Sequence, residues 1–387
     1  MIIFVDQSGQ WGGGELCLHE LVSSLRGEIE FCVFLFETGP FADKLMRQNV
    51  KLVVADGGDQ LTVRRGSNLL TMAKSFPVVT NLMRQLGELC GSDTLLYANS
   101  QKAAVICFLI AAWKKVPVVW HLRDILSAGH FSWWNRLLVI VLSNFFCREV
   151  IVNSEATRAA YMAAGGKRAC HVIYSSVVPE KFLGIDELSS TAARERCGIP
   201  ELFTIGIFGR IAEWKGQHVL IEALTYLEGV QGLIVGDALF EGDEKYQLKL
   251  NALIGRYGLQ DKITFVGFQE DIATYMAACD VVVHASVEPE PFGRVIVEAM
   301  RCRRPVIAAR GGGAVELVGE NEERGWLHEA GSPASLRDTV RRLIECDNVQ
   351  FKSRTEAGFR FATDRCNPDN IRDQVFSVIE RVQGSRA

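Results

Sequence analysis

Apolar and polar positions along the chain alternate between two patterns. Short apolar runs occur at Ile2–Val5, Phe31–Phe36, Leu52–Val54, Leu95–Tyr97, Val116–Trp120, Val150–Val152 and His171–Ile173. Runs this short and this rich in Val, Ile and Phe predict buried strands. Between most of them lie stretches such as Glu15–Leu25 and Asn68–Leu89, whose spacing predicts amphipathic helices. Strands that are apolar on both faces and separated by helices imply a parallel sheet covered on both sides.

The rhythm breaks and then repeats. Between Ser175 and Pro200 the composition is mixed, with Pro179, Gly184 and a Ser-Ser-Thr run, which predicts an inter-domain linker. Beyond it, Phe203–Phe208, Leu233–Val235, Ile263–Val266, Val281–His284 and Val306–Ala308 predict strands. Gln217–Tyr226, Glu244–Gly255, Val295–Cys302 and Ser335–Glu345 predict helices. The expected class is α/β, with two Rossmann-like doubly wound domains facing a central cleft. The expected boundaries are 1–180 and 181–365, followed by a C-terminal segment at 366–387. Within that segment, Pro368 to Val382 reads as a polar helix with an apolar stripe. Ligands of such sheets bind beyond the carboxyl ends of the strands, so the chemistry is expected in loops that follow strands.

Composition narrows the function classes. A chain of 387 residues with 48% hydrophobic and 23% charged residues is ordinary for a globular protein of two domains. Its net charge of -4 lacks the basic excess of a general nucleic-acid binder. The 11 cysteines are scattered without C-x-x-C pairs, which argues against a disulfide scaffold or zinc ribbon and for a reducing, cytoplasmic setting. The opening Met-Ile-Ile-Phe-Val-Asp lacks the features of a signal peptide. No spanning helix is expected. The nearest approach, Phe131–Phe146, is interrupted by Asn135, Arg136 and Asn144.

Candidate chemistry sits after the predicted strands. Gly12-Gly13-Gly14-Glu15 follows the first strand and opens a helix, which suits either close approach of a ligand to backbone N–H groups at a helix N-terminus or a plain loop. Gly209-Arg210, then Lys215-Gly216 at a helix start, place two cations near one helix N-terminus, where they could neutralise a diphosphate or form a solvated pair. The chain contains no D-x-D and no H-E-x-x-H, so a leaving diphosphate would be met by side chains and backbone dipoles, and no metal or cofactor is expected. The densest motif is Glu-Pro-Glu290-Pro-Phe292-Gly293-Arg294-Val295, with Glu298 one turn into the following helix. Two carboxylates then point into one region. They could form a glycosidase-like acid and base pair, or accept hydrogen bonds from sugar hydroxyls. Downstream, Arg310-Gly-Gly-Gly313 and Glu316 form another strand, glycine turn and helix.

As a set these motifs resemble the retaining glycosyltransferases of family 4, which have the GT-B fold. The matching residues are Gly12-Gly13-Gly14-Glu15, Val152-Asn-Ser154-Glu, Val172-Ile-Tyr, Gly209-Arg210 with Lys215-Gly216, Glu290-x7-Glu298, and Gly312-Gly313 with Glu316. They span nearly the whole chain in the family's order. Tyr174-Ser175-Ser176 departs from the family's usual Asn-Gly.

The resemblance implies roles. Arg210 and Lys215 would grip the donor diphosphate, Glu298 the ribose hydroxyls and Glu290 the donor sugar. Backbone amides of Phe292, Gly293, Arg294 and Val295 would bind sugar and phosphate. Gly13 and Gly14 would approach the diphosphate, Phe268 would offer backbone groups to the base, and His121 would contact the donor sugar. The last helix would cross back to the first domain. The implied reaction moves a sugar, from a UDP-sugar by preference, to a glycan or lipid-linked acceptor. Exopolysaccharide or lipopolysaccharide synthesis is the implied setting. A sugar-nucleotide epimerase on the same architecture, or a non-catalytic sugar-nucleotide-binding subunit, are the alternatives.

Acceptor contacts are expected on the first domain. Arg64-Arg65, Asn99-Ser100, Lys102, Arg123 and Asp124 are the candidates, though each taken singly also suits a solvated surface. Trp133–Phe146 reads as a core helix in preference to a membrane-surface helix, with Trp113-Lys114-Lys115 as an accessory to the second reading. Peripheral contact with the inner face of a membrane belongs to that second reading.

Overall fold

The computed structural model describes residues 1–61, 74–127, 131–239 and 241–384. They divide into two compact units, one of Met1–Ser176 with Pro368–Ala387, the other of Val177–Asn367.

The first unit runs β1 (Ile2–Asp6), α1 (Gly13–Ser24), β2 (Phe31–Leu35), α2 (Pro40–Arg47), β3 (Leu52–Val54), α3 (Phe76–Leu89), β4 (Leu95–Ala98), α4 (Gln101–Lys114), β5 (Val118–Leu122), α5 (Trp133–Phe146), β6 (Glu149–Val152), α6 (Glu155–Ala163) and β7 (Ala169–Val172). Its strands pair in parallel in the order β3-β2-β1-β4-β5-β6-β7. Ile2 faces both Phe31 and Leu95, so the chain reverses its direction of winding between β1 and β4. Side chains on both faces are buried, as β1 shows at every position, four of them apolar and the last Asp6. One core layer holds Ile3, Phe34, Leu96, Phe108 and Trp120, and the opposite layer Phe4, Leu18, Phe41 and Tyr97.

The second unit runs α7 (Ser190–Cys197), β8 (Phe203–Phe208), α8 (Gln217–Leu224), β9 (Val230–Val235), α9 (Glu241–Tyr257), β10 (Ile263–Gly267), α10 (Ile272–Ala278), β11 (Val281–His284), α11 (Arg294–Arg301), β12 (Val306–Arg310), α12 (Gly313–Val318), β13 (Trp326–Glu329), α13 (Pro333–Ile344) and α14 (Asn348–Arg365). The strand order is β10-β9-β8-β11-β12-β13, again all parallel, with the switch between β8 and β11.

The last helix, α15 (Pro368–Gly384), belongs to the first unit. Its Ile371, Val375, Val378, Ile379 and Val382 complete the core layer that contains Phe4 and Leu18.

The structure differs from the sequence reading at several elements. The expected linker at 175–200 is structured as part of the second unit from Val177 onward. Its α7 is fastened by Arg194, which donates to the Ala278 carbonyl at 3.1 Å and pairs with Asp280 at 2.5 Å and Glu201 at 2.7 Å. The strand expected at Val116–Trp120 is displaced to Val118–Leu122, so His121 lies within a strand and not beyond it. Strand β13 and helix α14 have no counterpart in the reading.

Candidate active site

The two switch points place the candidate residues. In the second unit β8 leads through Gly209, at φ +123°, into Arg210, whose Nε lies 3.5 Å from an Asp243 carboxylate oxygen. A short turn at Glu213–Lys215 follows, and Gly216 then opens α8 at φ +73°. A Cβ at Gly216 would overlap the Ala285 carbonyl, so only glycine lets this turn lie against the loop that leaves β11. The Val287 amide donates to the Trp214 carbonyl at 2.9 Å and pins the two loops together.

That approach delivers Lys215 to Glu290. The ammonium donates to Oε1 at 2.7 Å, Ser286 Oγ donates to the same oxygen, and His284 Nε2 lies 3.0 Å from it. Glu290, His284 and Ser286 are all buried, while the Lys215 side chain keeps 19% exposure. Burial would push the Glu290 carboxyl up, but Lys215 first and His284 second outweigh it. Its pKa is held well below the usual carboxylate range, so the group is an anion ready to accept hydrogen bonds.

Gly293, at φ +102°, turns the chain into α11. Phe292 and Val295 are buried beside it, and Arg294 reaches along the helix to Glu298 at 3.4 Å. The turn at Gly312 and Gly313 supports this loop from behind. The Gly313 amide donates to the Glu290 carbonyl at 2.9 Å, and a Cβ at Gly312 would overlap Glu290 backbone. These glycines therefore shape the Glu290 loop, which explains their spacing without a ligand. Phe268 lies just beyond β10, 66% exposed, with its amide donating to Asp237 at 3.1 Å.

In the first unit a polar cluster occupies the ends of β1, β4 and β5. Asn99 donates to Asp6 at 2.5 Å and to the Gly14 carbonyl at 3.2 Å, and accepts from Arg123 Nε at 2.9 Å. Arg123 Nη2 lies 3.2 Å and Tyr97 OH 2.5 Å from His121 Nδ1. A guanidinium can only donate, so Nδ1 is an acceptor and the proton of the neutral ring sits on Nε2. Burial first, then the Arg123 charge, lowers the His121 pKa well below its usual value. Nε2 is buried and has no hydrogen-bond partner among the described residues. Burial also raises Asp6 and, with the Asp6 charge second, pushes Glu15 up to about 8. Gly13 faces open space, whereas a Cβ at Gly14 would meet Arg123 at 3.4 Å.

Lys215, Glu290, Phe292, Gly293, Arg294, Val295, Glu298 and Arg210 thus gather at the switch point of the second sheet. Gly13, Gly14, Asn99, His121, Arg123 and Asp124 gather at that of the first. Arg64 and Arg65 lie outside the described residues. The sequence reading passed over Ser286 and His284, whose signal was their place immediately before Glu290 at the end of an apolar run. Tyr97 and Asp6 gave none, being indistinguishable from strand residues. Among the described residues no His, Cys, Asp and Glu cluster is arranged to hold a metal ion.

The model of the family described as glycosyl transferases group 1 matches residues 191–358. Over 98% of its length the chain superimposes on Anabaena Alr3699/HepE, solved in complex with UDP and with UDP-glucose. The TM-score is 0.84, the identity 35% and 36%, and the coverage of that chain 99%. It is also similar to the lipopolysaccharide core biosynthesis glycosyltransferase LpsE of Rhizobium meliloti, 29% identical over 44% of this chain and 48% of that one. A third relative is the N-acetylgalactosamine-N,N'-diacetylbacillosaminyl-diphospho-undecaprenol 4-alpha-N-acetylgalactosaminyltransferase of Campylobacter jejuni. It is 28% identical over 50% of this chain and 49% of its own. The chain spans about half the length of the curated relatives it matches. With the two parallel α/β units and their glycine-framed switch points, these likenesses show that the chain belongs to the glycosyl transferases group 1 family and has the GT-B type of fold.

Proposed function

We propose that the chain is a retaining, metal-independent hexosyltransferase of family 4. It moves a sugar from a UDP-sugar to a glycan or lipid-linked acceptor in cell-surface polysaccharide synthesis, at the cytoplasmic face of a membrane. The observation that carries this reading is the convergence of Lys215, Ser286 and His284 on one oxygen of buried Glu290, with Arg210 just beyond β8 and Glu298 on α11.

Each residue has a task that its chemistry suits. Arg210 and Lys215 are the cations that meet the charge growing on the leaving diphosphate. Glu290, kept ionised, accepts hydrogen bonds from hydroxyls of the donor sugar, and Glu298 does so from the ribose. The first turn of α11 offers amides from Phe292 to Val295, and Gly13 and Gly14 let backbone approach the phosphates. Phe268 presents its backbone to the base. His121, neutral with its proton on Nε2, donates to a sugar oxygen and does not act as a nucleophile. Asn99, Arg123 and Asp124 serve the acceptor. In the transfer, the bond from the anomeric carbon to phosphate oxygen breaks as the bond to the acceptor oxygen forms on the same face. The acceptor proton passes to the departing phosphate oxygen. Alignment of the two substrates supplies much of the rate.

The UDP and UDP-glucose complexes of the Anabaena relative support the choice of base. The Rhizobium and Campylobacter relatives support the acceptor class. Calorimetric titration of UDP, GDP and ADP in excess EDTA tests the donor site. Tight binding of UDP alone, weakened in Lys215→Ala, is expected. Equal, weak binding of all three, indifferent to Lys215→Ala, refutes the assignment and favours a non-catalytic role.

A further inference from the structure

The first unit contains a cavity of about 530 Å³ that the donor chemistry does not use. That volume lies within the ~300–1,000 Å³ of small-molecule sites. Its walls are Val79 of α3, Val105 and Leu109 of α4, and Leu138 and Leu142 of α5. All five are only partly buried, although packed interiors leave few voids larger than a water molecule. The pairs on α4 and α5 are one turn apart, so each helix presents a continuous apolar edge to the space.

The two ends of this cavity differ. At the end nearer the sheet it is lined by Gln7, Ser100, Lys102 and Asp124. The first two directly follow Asp6 and Asn99, and Asp124 follows Arg123, so this end adjoins the polar cluster that holds His121. Along α5, one position before the wall residues, Trp133, Leu137, Val141 and Phe145 form a second apolar stripe that faces outward. Trp133 is 59% and Phe145 71% exposed. One helix therefore carries apolar side chains both to the surface and into the cavity.

We propose that this cavity takes the hydrocarbon chain of a lipid-linked acceptor, entering past the outward stripe of α5 and leaving its polar head beside Ser100, Lys102 and Asp124. This rests on the glycosyltransferase reading and deepens it by assigning the acceptor class. A wholly polar glycan has no use for walls of Val and Leu, while a chain with a charged or hydroxylated head matches both ends.

Calorimetry of the full chain with n-alkyl phosphates from hexyl to decyl, below their micellar concentrations, tests the assignment. Affinity is expected to rise about fourfold per added methylene, from the ~0.8 kcal/mol released on burying each one. Leu109→Trp, which fills the space, is expected to abolish that dependence. Val105→Trp does the same from the preceding turn and serves if the first variant melts early. UDP titration of the same samples reports separately on the second unit. Wild type that binds UDP but shows no chain-length dependence overturns the proposal. So does a dependence that persists in both folded tryptophan variants. Chain-length dependence without UDP binding leaves the hydrocarbon site standing and removes its acceptor role along with the donor reading.

Discussion

Lys215 is engaged before any ligand arrives, and this gives two substitutions opposite signs. Its ammonium sits 2.7 Å from Glu290 Oε1. A phosphate oxygen bonded to that ammonium at about 2.8 Å lies no more than about 5.5 Å from the carboxylate. At an effective dielectric constant of ~20, unit charges at that distance repel by about 3 kcal/mol. The lysine is one-fifth exposed, and His284 and Ser286 already hold the same carboxylate oxygen, so a net penalty of about 1–2 kcal/mol is expected. Glu290→Gln should then bind UDP about 5- to 30-fold more tightly than wild type, while losing transfer because a sugar-binding anion has gone. Lys215→Met removes a charge-assisted contact of about 1.5–3 kcal/mol and should bind UDP about 10- to 150-fold more weakly. Calorimetry at low ionic strength reads both. If Glu290→Gln weakens UDP as much as Lys215→Met does, Glu290 holds the loop's shape and does not compete for the cation, and the argument fails.

Other outcomes follow from single positions. Gly216→Ala should destabilise the chain by about 2–5 kcal/mol, because φ is +73° and the new Cβ meets the Ala285 carbonyl. Gly13→Ala, which faces open space, should stay within about 0.5 kcal/mol, and thermal melts compare the two. The folded Glu290 carboxyl has a depressed pKa, so its stabilisation is full above the ordinary value near ~4.3 and is lost as pH falls further. Melts from pH 6 to 3 should therefore be flatter for Glu290→Gln, by up to about 1.4 kcal/mol per pH unit. Buried His121 is also depressed, and its share of stability should fall as pH drops below ~6.5, a slope absent from His121→Asn. Transfer from the UDP-sugar donor should persist in excess EDTA, and loss of activity restored by a divalent cation would contradict the two-cation clamp.

The fold was legible where burial on both faces wrote itself as unbroken apolar runs. β1, β8 and β11 have every position but Phe203 buried, and each is visible as a short block of Ile, Val and Phe. β13 was not, because Trp326-Leu-His-Glu holds only two apolar residues and looks like a loop. α14 buries little beyond Gly358 and Ala362, so no apolar stripe announces it. At the site, Glu290 and Glu298 could be found because both stand on one loop and helix. The convergence on Glu290 could not, since Lys215 is brought there by Gly216 packing against Ala285, a contact between segments far apart in sequence. The glycines at 312 and 313 were legible as a turn between strand and helix, but their support of the Glu290 loop was not, since it too joins segments brought together by the fold.

The position of α15 bears on how the chain is made. The first unit consists of Met1–Ser176 and Pro368–Ala387, with all of Val177–Asn367 translated in between. At ~5–20 residues per second the ribosome needs about 10–40 s for that insertion. During this interval Leu18, Leu21 and Phe41 lack the cover that Ile371, Val375 and Ile379 later provide. The second unit, continuous in sequence, is complete before the first. The nascent chain thus carries an open apolar face until α15 has been made, a target for chaperones and for premature association.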